Sequence, residues 1–143
     1  MVDIVKDADS VTLVLNDHAF TSFGVGDNIV ITPLNPQTSH TNSSDGGVSI
    51  NTRSDANVHE LKIMIQKYSG DDVFLNEAIN SVGTTVFAGS LVEDFTRDGV
   101  DGQERWTLEG GSIMAKPSNT KNDQDGNATQ EYMITFRNAV RSI

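Results

Sequence analysis

Strict alternation of apolar and polar side chains is what most constrains this chain. In "GVSINTR" (47–53), Val48, Ile50 and Thr52 fall on one side of an extended backbone, and Ser49, Asn51 and Arg53 on the other. "VHELKIMIQKY" (58–68) repeats the pattern, with Leu61, Ile63 and Ile65 on one face and Glu60, Lys62, Met64 and Gln66 on the opposite one. In "EYMITFRNAVRSI", Tyr132, Ile134 and Phe136 oppose Glu131, Met133, Thr135 and Arg137. A period of two marks a half-buried β-strand. Strands with one wet face belong to antiparallel sheets, whose other face lies on a core.

The rest of the chain fits around those strands. "VTLVL" (11–15) reads as a buried strand, and "NIVITPL" as a second that Pro33 ends. Asn16-Asp17 and Gly24–Asp27 are turn signals. "TTVFAGSLVEDFTR" (84–97) and "ERWTLEGGSIMAK" (104–116) are long strands joined by a turn at "DGVDGQ", and Gly110-Gly111 suggests a bulge. The period changes once, in "SGDDVFLNEAINSVG". Ser69 or Asp71 can cap a helix over 70–82, with Val73, Phe74, Ala78, Ile79 and Val82 at helical spacing and Gly83 as its stop. The expected fold is one mainly β domain over 1–143. The helix and a second sheet can cover the apolar faces of its strands.

Two polar segments interrupt the pattern. One is a loop over 117–129. The other, "TPLNPQTSHTNSSDGG" (Thr32–Gly47), has Leu34 as its one large apolar side chain. Loops beyond about 12–15 residues are uncommon in compact domains and are usually functional or disordered.

Composition removes most other chemistries. The chain has no cysteine, so disulfides, thiolate metal sites and thiol catalysis are excluded. "MVDIVKDADS" lacks the basic and apolar regions of a secretory signal, and no apolar run reaches the about 20 residues of a membrane helix. Twenty acidic against ten basic residues give a net charge of −10. Phosphate binding needs a basic face, but Lys116 and Lys121 sit near Asp123 and Asp125, and Arg137 and Arg141 are isolated. His18, His40 and His59 lack metal-ligand spacing. "KNDQDGNATQEY" has Asp123, Asp125 and Gly126 in calcium-loop places, but Lys121 and Tyr132 where the template needs ligands. There is no G-x-S-x-G and no dinucleotide fingerprint. The expectation is a non-enzyme with no cofactor and no metal.

Half-polar strands pose a problem of edges, which a solitary protein must blunt and an assembling one can pair with copies of itself. Strands, then "TPLNPQTSHTNSSDGG", then an alternating hairpin "GVSINTRSDANVHELKIMIQK", then the helix "GDDVFLNEAINSV", then "FAGSLVEDF" and two long strands: this order resembles the tail tube proteins of contractile-tailed bacteriophages. In detail it looks like the small tail structural family in which "DGGVSINTRSDAN" opens the hairpin. The fold is related to that of type VI secretion tube proteins.

The resemblance implies a mainly β fold of two packed antiparallel sheets, a β-sandwich or roll, with one flanking α-helix, six copies closing into a ring, rings stacking into a tube that conducts DNA, and a contractile sheath outside. It implies an assembly in the host cytoplasm that ends in the virion tail. The partners are further copies, the sheath, baseplate and tail terminator proteins, with no membrane. The long loop would be the arm between rings: Pro33, Leu34, Asn35, Pro36, Gln37, Thr38, Ser39, His40, Thr41, Asn42, Ser43, Ser44 and Asp45. Leu34 would be its apolar anchor; the competing reading is a surface loop. A conduit for DNA should not bind its cargo, and an anionic wall would repel phosphates from all sides. Candidates for that wall are Ser49, Asn51, Glu60, Lys62, Gln66, Glu109 and Glu131, with Lys62 and Arg53 needing acidic neighbours. The N-terminal Val2, Asp3, Ile4 and Val5 would complete the sheet of another subunit by strand addition, or else fray. Two alternatives stay open. One is a tube protein of a type VI or other contractile injection machine, carrying protein. The other is a stand-alone β-sandwich binding module, which needs exposed aromatics where Trp106, Tyr68 and Tyr132 all fit the core pattern.

Overall fold

A computed structural model describes residues 2–6, 10–24, 28–81, 85–119 and 129–143. The strands are β1 (Ile4–Val5), β2 (Val11–Leu15), β3 (His18–Ala19), β4 (Ile29–Pro33), β5 (Thr38–Asn42), β6 (Val48–Thr52), β7 (His59–Gln66), β8 (Phe87–Arg97), β9 (Val100–Ser112) and β10 (Thr129–Ser142). One helix, α1 (Gly70–Asn80), lies between β7 and β8. The protein is mainly β, with two antiparallel sheets and one helix. The larger sheet runs β3-β2-β8-β9-β10-β7-β4, with β1 on β8; the smaller is the β5-β6 pair.

The large sheet curls on itself, so the two layers of the core come from one hydrogen-bonded ribbon. Its ends meet through residues 20–24. Phe20 N–H donates to Leu13 O (2.9 Å), Gln66 N–H to Ser22 O (2.9 Å) and Gly24 N–H to Met64 O (2.9 Å). The core is the inward half of each alternation: Leu13 and Leu15, Leu61, Ile63 and Ile65, Tyr132, Ile134 and Phe136, with Phe87, Leu91 and Leu108. Deleting one such side chain costs about 2–5 kcal/mol.

Two glycines let the sheet bend. A Cβ on Gly89 would sit 1.8 Å from Val14 O, so only glycine allows β2 and β8 to approach there. Gly110 has φ +63°, and between Phe87 and Gly89 the β8–β9 register slips, leaving Glu109 and Gly110 against Ala88 alone. This is the bulge expected at Gly110-Gly111. The turn expected at "DGVDGQ" shrinks to Asp98-Gly99, both at positive φ (51° and 78°), which suits a two-residue hairpin. The sequence from Val100 onward is already strand.

The helix begins as its sequence demands. Ser69 Oγ accepts from Asp72 N–H (3.4 Å), and Asp71 and Asp72 place acid in the first turn. The expected end, Val82 and Gly83, lies outside the described residues, as do 120–128 of the polar loop, with Asp123, Asp125 and Gly126 of the calcium-like stretch. Its inward residues are Asp71 and Leu75; Val73, expected inward, is half exposed. Tyr132 O–H donates to Asp72 (2.7 Å), tying β10 to the helix. Burial first, and then the Asp72 carboxylate, pushes this phenol above its usual range.

Candidate assembly surfaces

The Pro33–Asp45 excursion is not a loop. Thr38, Ser39, His40, Thr41 and Asn42 form β5, which pairs with β6 from Thr38↔Thr52 to Asn42↔Val48. The turn between them closes on itself. Ser43 N–H donates to Gly47 O (2.8 Å), Gly46 takes φ +86°, and the Ser43 hydroxyl donates to the Asp45 carboxylate. That hydroxyl, then the Gly47 N–H, holds Asp45 below the usual carboxylate range. At the base, Leu34 N–H reaches Val58 O (3.1 Å) and Asn35 Nδ2 reaches Asp55 O (3.2 Å). Arg53 forks onto Asp55 (3.0 and 2.9 Å), and this hydrogen bonding lowers the Asp55 pKa. The result is a ribbon that continues the β4–β7 pair outward.

This corrects the expected "GVSINTRSDANVHELKIMIQK" hairpin. β6 pairs with β5, whereas β7 pairs with β4 and β10. Both edges of β7 are taken by strands with apolar residues to bury, leaving β6 the polar strand within reach of the Asp45-Gly46-Gly47 turn. As a consequence β6 is not half-buried. Val48 is 58% exposed and Ile50 is 63% exposed, and Leu34 stays uncovered. Pro36, Gln37, Ser44 and Asp45 belong to the ribbon's base and tip.

The wall candidates divide. Glu60, Lys62 and Gln66 on β7, Glu131 on β10 and Glu109 on β9 all lie on the face of the large sheet turned away from the core. Lys62 pairs with Glu131 (3.4 Å), and Asn138 Nδ2 lies 3.5 Å from Glu109 Oε2. So the two awkward cations, Lys62 and Arg53, each have an acidic neighbour. Ser49 and Asn51 are not part of that face; they sit on the β5–β6 ribbon.

The N-terminal segment, expected as an arm to another subunit or a frayed end, is paired within its own chain. Ile4 and Val5 lie opposite Arg97 and Thr96, Asp98 N–H donates to Asp3 O (2.8 Å), and Asp3 N–H to Asp98 Oδ1 (2.8 Å). Val2, Ile4 and Val5 are nonetheless exposed.

Alternation and spacing did not reveal Asp71 as a core residue. It is 2% exposed and accepts from His18 Nε2 (2.8 Å), Thr21 N–H (2.9 Å) and Ser22 N–H (2.8 Å). His18 stacks on Phe74 with centroids 4.1 Å apart. Helix α1 is thereby clamped onto the 20–24 segment that closes the roll, where three bonds compensate a buried carboxylate. Tyr68 is the reverse case: expected in the core, it is exposed, because φ +65° at the β7–α1 corner turns it outward. His59 donates from Nδ1 to Asn57 O (2.9 Å) and meets Trp106 edge-on; it serves local packing. Among the described residues no group of three or more His, Asp or Glu is placed to hold a metal, and no helix is long and apolar enough to cross a membrane.

No family model and no curated protein sequence matches the chain. Solved structures do. A chain of the sheath–tube complex of an extracellular contractile injection system (PVC) in its extended state superposes with TM-score 0.64 at 11% identity, covering 96% of this chain and 91% of that one. The cap of the anti-feeding prophage, which terminates its tube, gives 0.67 at 9%, covering 96% and 91%. The sheath/tube terminator of PVC gives 0.63 at 12%, covering 96% of each. The fold is that of contractile injection system tube and terminator proteins. The likeness runs nearly end to end in both directions.

Proposed function

We propose that this protein is the structural subunit of a contractile tail tube. Copies close into rings, hexameric in the reading that the sequence resemblance carries, and rings stack into a hollow tube inside a sheath. A terminator and a baseplate bound the tube. The observation that carries this is the end-to-end fold likeness to sheath–tube and terminator assemblies, in a chain whose strands leave edges and an amphipathic ribbon for partners. The ribbon from Pro33 to Val58 is the arm, and stacking would cover its apolar face. Head-to-tail contacts of this kind generate open filaments.

The outward face carrying Glu60, Lys62, Gln66, Glu109 and Glu131 is the wall of the bore. Glu60, Glu109 and Glu131 against Lys62 and Arg137 leave that face without the basic excess that captures phosphates, which supports DNA as cargo in a bacteriophage tail. A second reading is favoured by the two PVC neighbours, which belong to an extracellular contractile injection system; there the tube would carry protein. Electron microscopy of the concentrated protein tests the assembly: rings or hollow rods are expected, and single folded molecules at millimolar concentration would refute it. Titration calorimetry with duplex DNA tests the bore, with no tight binding expected.

A further inference from the structure

The described residues present two surfaces of matching character. The first is a groove of about 440 Å³ where β2 and β4 diverge beyond the 20–24 junction. Val11, Ile29, Ile31, Leu91 and Trp106 line it. It is bounded by the two ends of the large sheet, since β4 pairs only with β7 among the described strands. The second is the Val48 and Ile50 side of the β5–β6 ribbon, which nothing in its own chain covers. We infer that the groove receives the β6 strand, Val48–Thr52, of a second copy of this chain. The inference rests on the self-assembling reading above and names the surface that meets the arm.

Charge permits another copy as the occupant. A chain at −10 repels its own copies unless the touching surfaces are neutral. Both are. β5 (TSHTN) and β6 (VSINT) contain no Asp, Glu, Lys or Arg. The charges at the groove rim cancel in pairs, Lys6 with Glu93 (3.6 Å) and Arg141 with Glu104 (2.7 Å). The backbone agrees: β4 and β6 are five residues each, and each ends its sheet with one edge free among the described strands. An amphipathic strand laid along a free edge gains ladder hydrogen bonds while its apolar side chains enter the groove.

The absence of cysteine makes the test clean. An Ile50→Cys chain is mixed with a size-tagged Ile31→Cys chain under mild oxidation, and in parallel with a tagged Met133→Cys chain, whose thiol lies on the outward face. Disulfides form only when the Cβ atoms come within about 4.5 Å, so a bond reports contact. The tagged heterodimer is expected with Ile31→Cys and in trace amounts with Met133→Cys. No heterodimer, or equal yields with both, overturns the assignment. If Ile31→Cys does not fold, Val11→Cys takes its place under the same criterion. Rods are scored separately by microscopy on the unmodified protein: rods with no groove crosslink leave the tube reading standing and remove this one, while a groove crosslink without rods does the reverse.

Discussion

β6 and β7 are written in the same pattern and meet opposite fates. "VSINT" and "HELKIMIQ" both alternate without a fault. On β7 the apolar half is fully buried, because β4 and β10 flank it and the rolled sheet closes over it. On β6 the apolar half faces solvent, because β5 is its one neighbour among the described strands and offers His40 and Asn42 across from Ile50 and Val48. Alternation therefore says that a strand has a face to cover, not what covers it. In β7 the covering is internal; in β6 we assign it to another copy.

The contrast can be broken most forcefully by paired truncations. Ile63→Ala is expected to lower stability by about 2–5 kcal/mol in urea unfolding, as a cavity in a closed core must. Ile50→Ala in dilute protein should stay within about 0.5 kcal/mol of the parent. Equal losses at the two sites would mean that β6 is already covered within one chain.

A smaller effect is expected at the clamp that holds the helix on the body. Asp71→Ala strands the N–H groups of Thr21 and Ser22, and we expect a loss of about 2–3 kcal/mol by thermal unfolding, with Asp71→Asn less harmful because its oxygen still accepts. A neutral Asp71→Ala would sink the clamp. Next comes the sheet crossing: Gly89→Ala forces β2 and β8 apart and should cost about 1–3 kcal/mol, again without touching the ribbon.

The smallest effect is confined to the ribbon and sharpens the contrast from that side. Hydrogen bonds from Ser43 to Asp45 and from Arg53 to Asp55 hold both carboxylates below the usual carboxylate range. Their contribution is therefore present above the unfolded value and lost as pH falls through the lower folded one. Nuclear magnetic resonance from pH 5 down to pH 2 should show the 43–47 turn and the Arg53–Asp55 base loosening before the β7–β10 ladder does. Simultaneous loss of both would show that the ribbon has no independent behaviour.

Much of the body was legible because its code is local. The core faces of β7 and β10 follow from alternation, the helix from its Ser69 cap and acidic first turn, and the bulge from Gly110-Gly111. What was not legible is non-local. Nothing within "TPLNPQTSHTNSSDGG" announces that Thr38–Asn42 would pair with Val48–Thr52, because polar, hydroxyl-rich residues fit loop and strand alike. The burial of Asp71 depends on three donors from around residues 18–22, some 50 positions away, and an acid in a first helical turn is normally read as a cap or a dipole partner. The outward turn of Tyr68 depends on one left-handed backbone angle. Of the candidates for a wall, the five on the large sheet share a face only once strand order is known. That Ser49 and Asn51 lie apart from those five, on the ribbon, could not be read locally, because it follows from the partner of β6.

The central claim is that the ribbon's apolar face is completed by another copy, and amide hydrogen exchange along the ribbon tests it most directly. The amides of Val48, Ile50 and Thr52 point away from β5; between dilute and millimolar protein they should pass from rapid exchange to protection, while those of Leu61–Ile65 stay protected throughout. Val48, Ile50 and Thr52 exchanging at the same rate at both concentrations, in a chain whose body remains folded, would contradict the account.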